Sequence, residues 1–214
     1  MKYFILLLLY FFNAAFATTP VIIQKPILFD AKRIELTREY RQQHYGIKEK
    51  SIVIVPKMIV LHWTGDPSLQ SVFNFLYPPV LKGRPDIEQS PVDVNVSAQF
   101  LVDRDGRIYQ LMPSNWMARH IIGLNNIAIG IENVGTGNLT QAQVTANAAL
   151  IRYLAQQYPS IRYLIGHYEY GRFKDTALWQ EKDPNYFTHK VDPGPQFMRA
   201  IRSKVQDLHL KDQP

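Results

Sequence analysis

Four positions in the sequence carry side chains that could perform hydrolytic chemistry, and each lies at or after a short apolar run. They are His62, Glu132, His167 and the segment 190–192, which ends in Asp192. Open α/β sheets place ligand sites at the carboxyl ends of their strands, where loops converge. Two imidazoles and a carboxylate can form a three-ligand Zn²⁺ site with a fourth position open to water. The chain has no cysteine that would offer a thiolate instead.

Each of these residues also has an ordinary structural explanation. A single histidine at a strand end is usually hydrogen-bonded or exposed, and an Asp before Pro-Gly is ordinarily a turn residue. Glu132 is harder to explain in this way. Along its predicted strand, isoleucines occupy one face, while Ala128, Gly130 and Glu132 occupy the other. The two small residues leave space beside the carboxylate, as the floor of a pocket would, and a buried Glu needs a partner.

The elements that must position these residues follow from local patterns. We predict strands over residues 58–62, 127–134 and 161–166, and a hairpin of 98–102 with 107–111 around the turn 103–106. We predict helices over 33–44, from Asp66-Pro67 to Leu76, from Thr140 (with Gln143 in a capping box) to before Pro159, and over 196–208. This order predicts an α/β fold, a single domain with a mixed central β-sheet flanked by helices. The domain spans 52–210 and follows an N-terminal extension, 18–51.

Four motifs together resemble one family. Residues 61–64, 129–133, 165–167 and 190–194 read LHWT, IGIEN, IGH and KVDPG. Their types and order resemble the type 2 N-acetylmuramoyl-L-alanine amidases, whose superfamily includes phage amidases and animal peptidoglycan recognition proteins. The resemblance covers residues 57–197, most of the chain.

The resemblance implies an activity and a role for each motif residue. It implies zinc-dependent hydrolysis of the amide bond between N-acetylmuramic acid and L-alanine in peptidoglycan, with peptidoglycan or a muropeptide as substrate. It also implies the following roles: His62, His167 and Asp192 as zinc ligands, Glu132 as general base, Lys190 as stabiliser of the oxyanion, and His120 as a substrate contact. In such chemistry zinc acidifies water and polarises the amide carbonyl.

The sequence departs from the family pattern in several places. Val191 stands where relatives often carry Thr, and Gln99 stands where many carry His, so a substrate contact at Gln99 is uncertain. The segment between His167 and Lys190 is long and aromatic. It is either a flap that packs on the core or a wall of the substrate groove. His189, close to the fourth motif, is the residue most easily mistaken for a ligand.

The amino terminus and the composition indicate where the protein works. Lys2, the apolar run 4–12 and Ala15-Phe16-Ala17 form a signal-peptide pattern, residues 1–17, with cleavage near Ala17. The run is shorter than the roughly 20 residues of a membrane span, although an N-terminal anchor is the alternative. We therefore expect an exported protein, periplasmic or secreted, without a stable membrane anchor. The absence of cysteine excludes disulfides and cysteine lipidation.

The net charge of +6 suits an anionic wall polymer. The basic residues are scattered, so we expect no nucleic-acid partner, and we expect a monomer. Three rival functions stay open at this point. The chain could be a non-catalytic peptidoglycan-binding module, a zinc peptidase that cuts within the stem peptide, or an effector amidase that acts on rival cells.

Overall fold

The computed structural model describes residues 19–82, 90 and 92–214. The predicted signal peptide, 1–17, lies outside the described residues. The strands are β1 (Ile22–Gln24), β2 (Met58–Trp63), β3 (Phe100–Val102), β4 (Ile108–Gln110), β5 (Ala128–Asn133) and β6 (Tyr163–Gly166). The α-helices are α1 (Ala31–Tyr40), α2 (Leu69–Leu76), α3 (Gln141–Gln157) and α4 (Pro195–Lys204).

The strands form one sheet in the order β1-β4-β3-β5-β2-β6. Only the β3–β4 pair of the described sheet is antiparallel, and the predicted hairpin joins these two strands. The predicted fold class, an α/β domain with a mixed central sheet, is therefore confirmed. Parallel strands β5, β2 and β6 end at the same edge of the sheet, where the candidate chemical residues follow them.

Alternation along the central strands gives the sheet two different faces. Ile59 and Leu61 of β2 pack with Ile129 and Ile131 of β5 against apolar side chains of α3 and α4. Met58 and Val60 point the other way, into a second cluster that includes Tyr170. His62, two residues after Val60, therefore shares the face that α3 and α4 do not cover. The helix α2 packs on this second face further along, against β3 and β4.

Residues 19–51, the described part of the predicted extension 18–51, are built into the same fold. Strand β1 pairs in parallel with β4. Tyr40 at the end of α1 is completely buried, and α1 continues into a π-helical turn, Arg41–Tyr45. Arg33 is also fully buried and donates to the carbonyl of Leu76 at 2.8 Å, so it ties α1 to the carboxyl end of α2. The folded unit thus begins before residue 52.

One predicted helix start is wrong. The helix α2 begins at Leu69, not at Asp66-Pro67, because Ser68 is its cap and accepts from the Ser71 N–H. Asp66 instead accepts from the Ser68 N–H at 2.8 Å and forms the turn before the helix. The predicted capping box of α3 is confirmed, with Thr140 and Gln143 each bonded to the other's backbone N–H.

The remaining ends differ by a few residues. Strand β6 begins at Tyr163, and the last helix stops at Lys204 before a short 3₁₀ turn, Gln206–Leu208. In the part of the chain that the structure describes, no helix has both the length and the apolar character needed to cross a membrane.

Candidate metal centre and cleft

Strand register brings three of the predicted residues together. His62 on β2 lies opposite Glu132 on β5. On the other side of β2, Leu61 lies opposite Gly166, the last residue of β6, so His167 follows directly beside His62. The loop that carries Asp192 is held to this edge because the Tyr168 N–H donates to the Asp192 carbonyl at 2.9 Å.

The donor atoms of His62, His167 and Asp192 converge on one point. The Nδ1 atoms of the two histidines are 3.0 Å apart, and Asp192 Oδ2 lies 3.4 Å from Nδ1 of His62 and 3.2 Å from Nδ1 of His167. Ligands at ~2.0–2.1 Å from a tetrahedral Zn²⁺ are separated by about 3.3 Å, so the observed spacing fits this ion. All three residues are buried. The two rings and the carboxylate therefore have the ligand types and the spacing that suit one shared cation.

The protonation states of these groups also fit a metal. Burial, and then the charge of His62, lowers the pKa of His167 to about 4, so this ring is neutral at neutral pH. Without a bound metal, burial alone would raise the pKa of Asp192, but hydrogen bonds from His167 and His62 hold that pKa well below its usual range. A neutral imidazole and an ionised carboxylate are the forms that bind a metal ion.

Neighbouring groups fix the backbone on which the ligands sit. The Asn133 side chain donates to the His62 carbonyl at 3.0 Å, and Asn147 of α3 donates to Asn133 Oδ1 at 2.6 Å. Glu169, buried beneath the 3₁₀ turn that starts at His167, accepts from the Gly166 N–H at 2.8 Å and pairs with Arg202. These contacts hold the ends of β2 and β6 rigid beside the donor atoms.

Glu132 has the properties of a proton acceptor near neutral pH. Burial raises its pKa to about 7, against the opposing influence of His62 and Lys190. Its Oε2 atom is sealed from solvent and has no hydrogen-bond partner among the described residues. Burial of a carboxylate without a hydrogen-bond partner costs free energy, and carboxylates with pKa values shifted in this way cluster at functional sites. Lys190 lies at the same cleft, and its charge favours the ionised form of Glu132.

These groups face a cleft of about 560 Å³. Its walls include Trp63 at the end of β2, Thr64 after it, Ile122, and two residues of the long segment between His167 and Lys190, namely Tyr186 and Thr188. Other aromatic residues of that segment pack inward: Phe187 stacks on Tyr170 at 4.9 Å between ring centroids. The segment therefore both packs on the core and walls the cleft. The aromatic content of the sequence had left both alternatives open for this segment, and it gave no signal for Thr188.

The three remaining residues of interest fall in different places. His120 lines the cleft, and its Nδ1 lies 3.0 Å from His62 Nε2. Gln99 is completely buried, where it donates to the Trp116 carbonyl and accepts from the Gly130 N–H. Its side chain thus links β5 to the backbone at Trp116 and is not a substrate contact. His189 is exposed and stands outside the cluster of metal-ligating groups.

Comparison with known proteins identifies the family. The family described as N-acetylmuramoyl-L-alanine amidase matches residues 38–195. No curated protein is similar enough in sequence to match the chain. Among solved structures, the N-acetylmuramoyl-L-alanine amidase LysC from Clostridium intestinale is 24% identical, with a TM-score of 0.54 over 90% of this chain and 100% of LysC.

Two further structures show the same fold. An AmpD derivative is 23% identical, with a TM-score of 0.53 over 86% of this chain and 94% of AmpD. The Drosophila peptidoglycan recognition protein SA is 20% identical, with a TM-score of 0.50 over 91% of this chain and 96% of that protein. The family match spans most of the chain, and the predicted resemblance is confirmed. The chain belongs to the N-acetylmuramoyl-L-alanine amidase family.

Proposed function

We propose that this protein is a zinc-dependent amidase that hydrolyses the bond between N-acetylmuramic acid and L-alanine in peptidoglycan. One observation carries the proposal. The donor atoms of His62, His167 and Asp192 lie 3.0–3.4 Å apart at the cleft that Glu132 and Lys190 also line. This set combines a metal site with an acid–base group and a cation, which are the parts that amide hydrolysis requires.

Zinc held by His62, His167 and Asp192 would polarise the scissile carbonyl and make water a stronger acid. Glu132 takes the proton from the attacking water at its carboxylate and gives it to the departing alanine nitrogen. A base whose pKa is near 7 suits both transfers, because it releases the proton almost as readily as it accepts it. Lys190 supplies positive charge where negative charge grows on the carbonyl oxygen.

The cleft suits a sugar–peptide substrate. Its volume of about 560 Å³ lies in the range of ligand sites, roughly 300–1,000 Å³. Trp63 and Tyr186 offer flat apolar surface to the sugar or the peptide backbone, and Thr188 and Lys190 offer polar groups. Because the wall polymer carries carboxylates, the net charge of +6 favours its approach.

We further propose that the protein works outside the cytoplasm, periplasmic or secreted, after removal of residues 1–17, and that it acts as a monomer. Export would bring the enzyme to its polymeric substrate. The test of this part is the amino terminus of the protein recovered from cells. A start at Thr18 supports the proposal, and an intact Met1 in a membrane fraction contradicts it.

Digestion of purified peptidoglycan, followed by mass analysis, tests the activity. We expect intact stem peptides with a free L-alanine amino group, together with glycan strands that lack peptide. Fragments cut within the stem would indicate a peptidase instead. Wall binding without any release would indicate a non-catalytic binding module. The Glu132→Gln variant, purified in parallel, controls for contaminating hydrolases.

A further inference from the structure

His120 contacts a proposed metal ligand, His62, directly. Its Nδ1 lies 3.0 Å from Nε2 of His62, and the two rings meet edge to face at 87°. The other nitrogen of His62, Nδ1, faces His167 and Asp192 in the converging donor set. Both nitrogens of His62 are therefore engaged, one toward the proposed metal position and one toward His120.

This arrangement fixes which nitrogen of His62 can bind a metal. A neutral imidazole carries one proton, so a ring that binds a metal through Nδ1 must carry that proton on Nε2. The Nε2–H of His62 then donates to Nδ1 of His120, which must act as acceptor. Metal-ligating histidines usually donate their second nitrogen to such a partner, which sets both the tautomer and the ring orientation.

The fold holds His120 in place from two sides. A Cβ atom on residue 130 would come within 2.8 Å of the His120 ring, so Gly130 makes room for it. Asn125, which is completely buried, accepts from the N–H groups of His120 and Ile121 at 2.8 and 2.7 Å. Asn125 in turn donates to the Tyr45 hydroxyl at 2.9 Å. Hydrogen bonds thus connect the N-terminal segment through Asn125 to the backbone of His120, whose ring contacts His62.

We propose that His120 is a positioning residue that orients His62 and fixes its Nδ1 as the ligating atom. This differs from the substrate contact that the family resemblance implies for His120. The inference rests on the proposed metal site. It accounts for the absence of a side chain at Gly130, and it links residues 19–51 to the chemistry of the cleft.

A matched pair of variants isolates the hydrogen bond. His120→Asn keeps an acceptor at the δ position, whereas His120→Leu has nearly the same shape and no acceptor. The measurement is the Zn²⁺ dissociation constant, obtained by competition with a chromogenic chelator, with circular dichroism to check folding. We expect His120→Leu to bind Zn²⁺ roughly 10–100-fold more weakly than the wild type, and His120→Asn to recover most of that loss. Tyr45→Phe, which removes the hydroxyl bonded to Asn125, should weaken binding only a few-fold.

The outcomes separate this inference from the proposed function. A wild-type protein without high affinity for Zn²⁺ overturns the metal site itself. Equal Zn²⁺ affinity in the wild type, His120→Asn and His120→Leu overturns the positioning role alone. If KM for muropeptide rises in His120→Leu while Zn²⁺ affinity is unchanged, His120 is a substrate contact. Should His120→Leu not fold, comparison of His120→Asn with His120→Ala decides between the same outcomes.

Discussion

Among the described residues, two buried clusters built around histidine differ in how many of their polar atoms have hydrogen-bond partners. The His44 cluster contains His44, Ser90 and Glu181. His44 Nδ1 lies 2.9 and 3.0 Å from the two Glu181 oxygens, and its Nε2 lies 2.8 Å from the Ser90 hydroxyl. Glu181 also accepts two backbone N–H groups at 3.0 Å, and Ser90 accepts one at 3.2 Å. The polar side-chain atoms of these three residues all have partners.

The cleft cluster contains His62, His120, Glu132, His167 and Asp192. In contrast to the His44 cluster, not all of its polar side-chain atoms have partners. Three donor atoms converge at 3.0–3.4 Å, and Glu132 Oε2 is buried without a partner. Burial of polar groups without partners costs free energy, and proteins tolerate this cost at sites that bind or transform a ligand. Converging donor atoms beside an unpartnered Glu132 oxygen, rather than the mere presence of histidine and carboxylate, distinguish the cleft cluster from the His44 cluster.

The His44 cluster has the hydrogen-bond connectivity of a serine hydrolase triad, but its surroundings do not suit catalysis. Ser90 is 5% exposed, and none of the three residues lines the described cleft. The Tyr40 ring stacks on His44 with centroids 4.1 Å apart, and the tilted Tyr186 ring contacts it with centroids 4.6 Å apart. The cluster therefore joins three distant segments of chain, and we assign it a structural role.

The largest effect we expect is on turnover in Glu132→Gln. Loss of the proton acceptor should reduce kcat by roughly 10²–10⁴-fold, while Zn²⁺ binding and folding are kept. Turnover is measured on muropeptide, and metal content by inductively coupled plasma spectrometry. Near-normal turnover would remove Glu132 from the mechanism, and loss of metal would make it a ligand. Ser90→Ala is the matched change in the His44 cluster, and it should hydrolyse muropeptide at the wild-type rate.

Lys190→Met should have the next largest effect, because it removes a charge needed only as the oxyanion forms. We expect kcat to fall about a hundredfold with KM nearly unchanged. Since Lys190 lowers the pKa of Glu132, the acid limb of the kcat/KM profile should also move to higher pH in this variant. Weaker binding of wall fragments at wild-type turnover would instead make Lys190 a docking residue.

His44→Ala should act on stability and leave chemistry alone. It leaves the Glu181 side chain, which is 1% exposed, without its histidine, and it removes ring contacts with Tyr40 and Tyr186. We expect the free energy of unfolding to fall by about 2–3 kcal/mol in chemical denaturation. His189→Ala, at an exposed histidine, should change it by less than about 0.5 kcal/mol. Loss of Zn²⁺ in a folded His44→Ala protein would break the distinction between the two clusters.

In the metal-free protein, Glu132→Gln should stabilise the fold, whereas His44→Ala destabilises it. The pKa of Glu132 is raised from 4.5 to about 7, so its protonated form stabilises the fold fully below about pH 4.5. That contribution is lost as pH rises through 7. Glutamine does not ionise, so the variant should be more stable than the wild type at pH 8 by about 1–3 kcal/mol, and by much less at pH 5. If the variant and the wild type are equally stable at both pH values, burial does not raise the pKa of Glu132.

Local patterns were enough to predict the central sheet and the residues gathered at its edge. Alternation in β5 predicted that Glu132 shares a face with Gly130, and the structure shows the space above Gly130 filled by the His120 ring. The order of the motifs along the chain was sufficient to bring His62 and His167 to one edge, because parallel strands end together.

Contacts between distant residues could not be predicted in this way. His44 is 46 residues from Ser90 and 137 from Glu181, and no periodicity connects them. The pairing of β1 with β4 was missed for the same reason, since a three-residue edge strand has too little pattern to reveal its partner. The partner of His120 depends on the loop that Asn125 shapes, which tertiary contacts with Tyr45 determine.

Zinc stoichiometry shows whether His62, His167 and Asp192 form the metal site. The wild type, His44→Ala and His167→Ala are dialysed against buffered Zn²⁺, with His189→Ala as the matched control for a histidine near the site. We predict about one tightly bound Zn²⁺ per chain in the wild type, His44→Ala and His189→Ala, and none in His167→Ala. Full Zn²⁺ occupancy in His167→Ala would show that the converging donor atoms of the cleft are not the metal site.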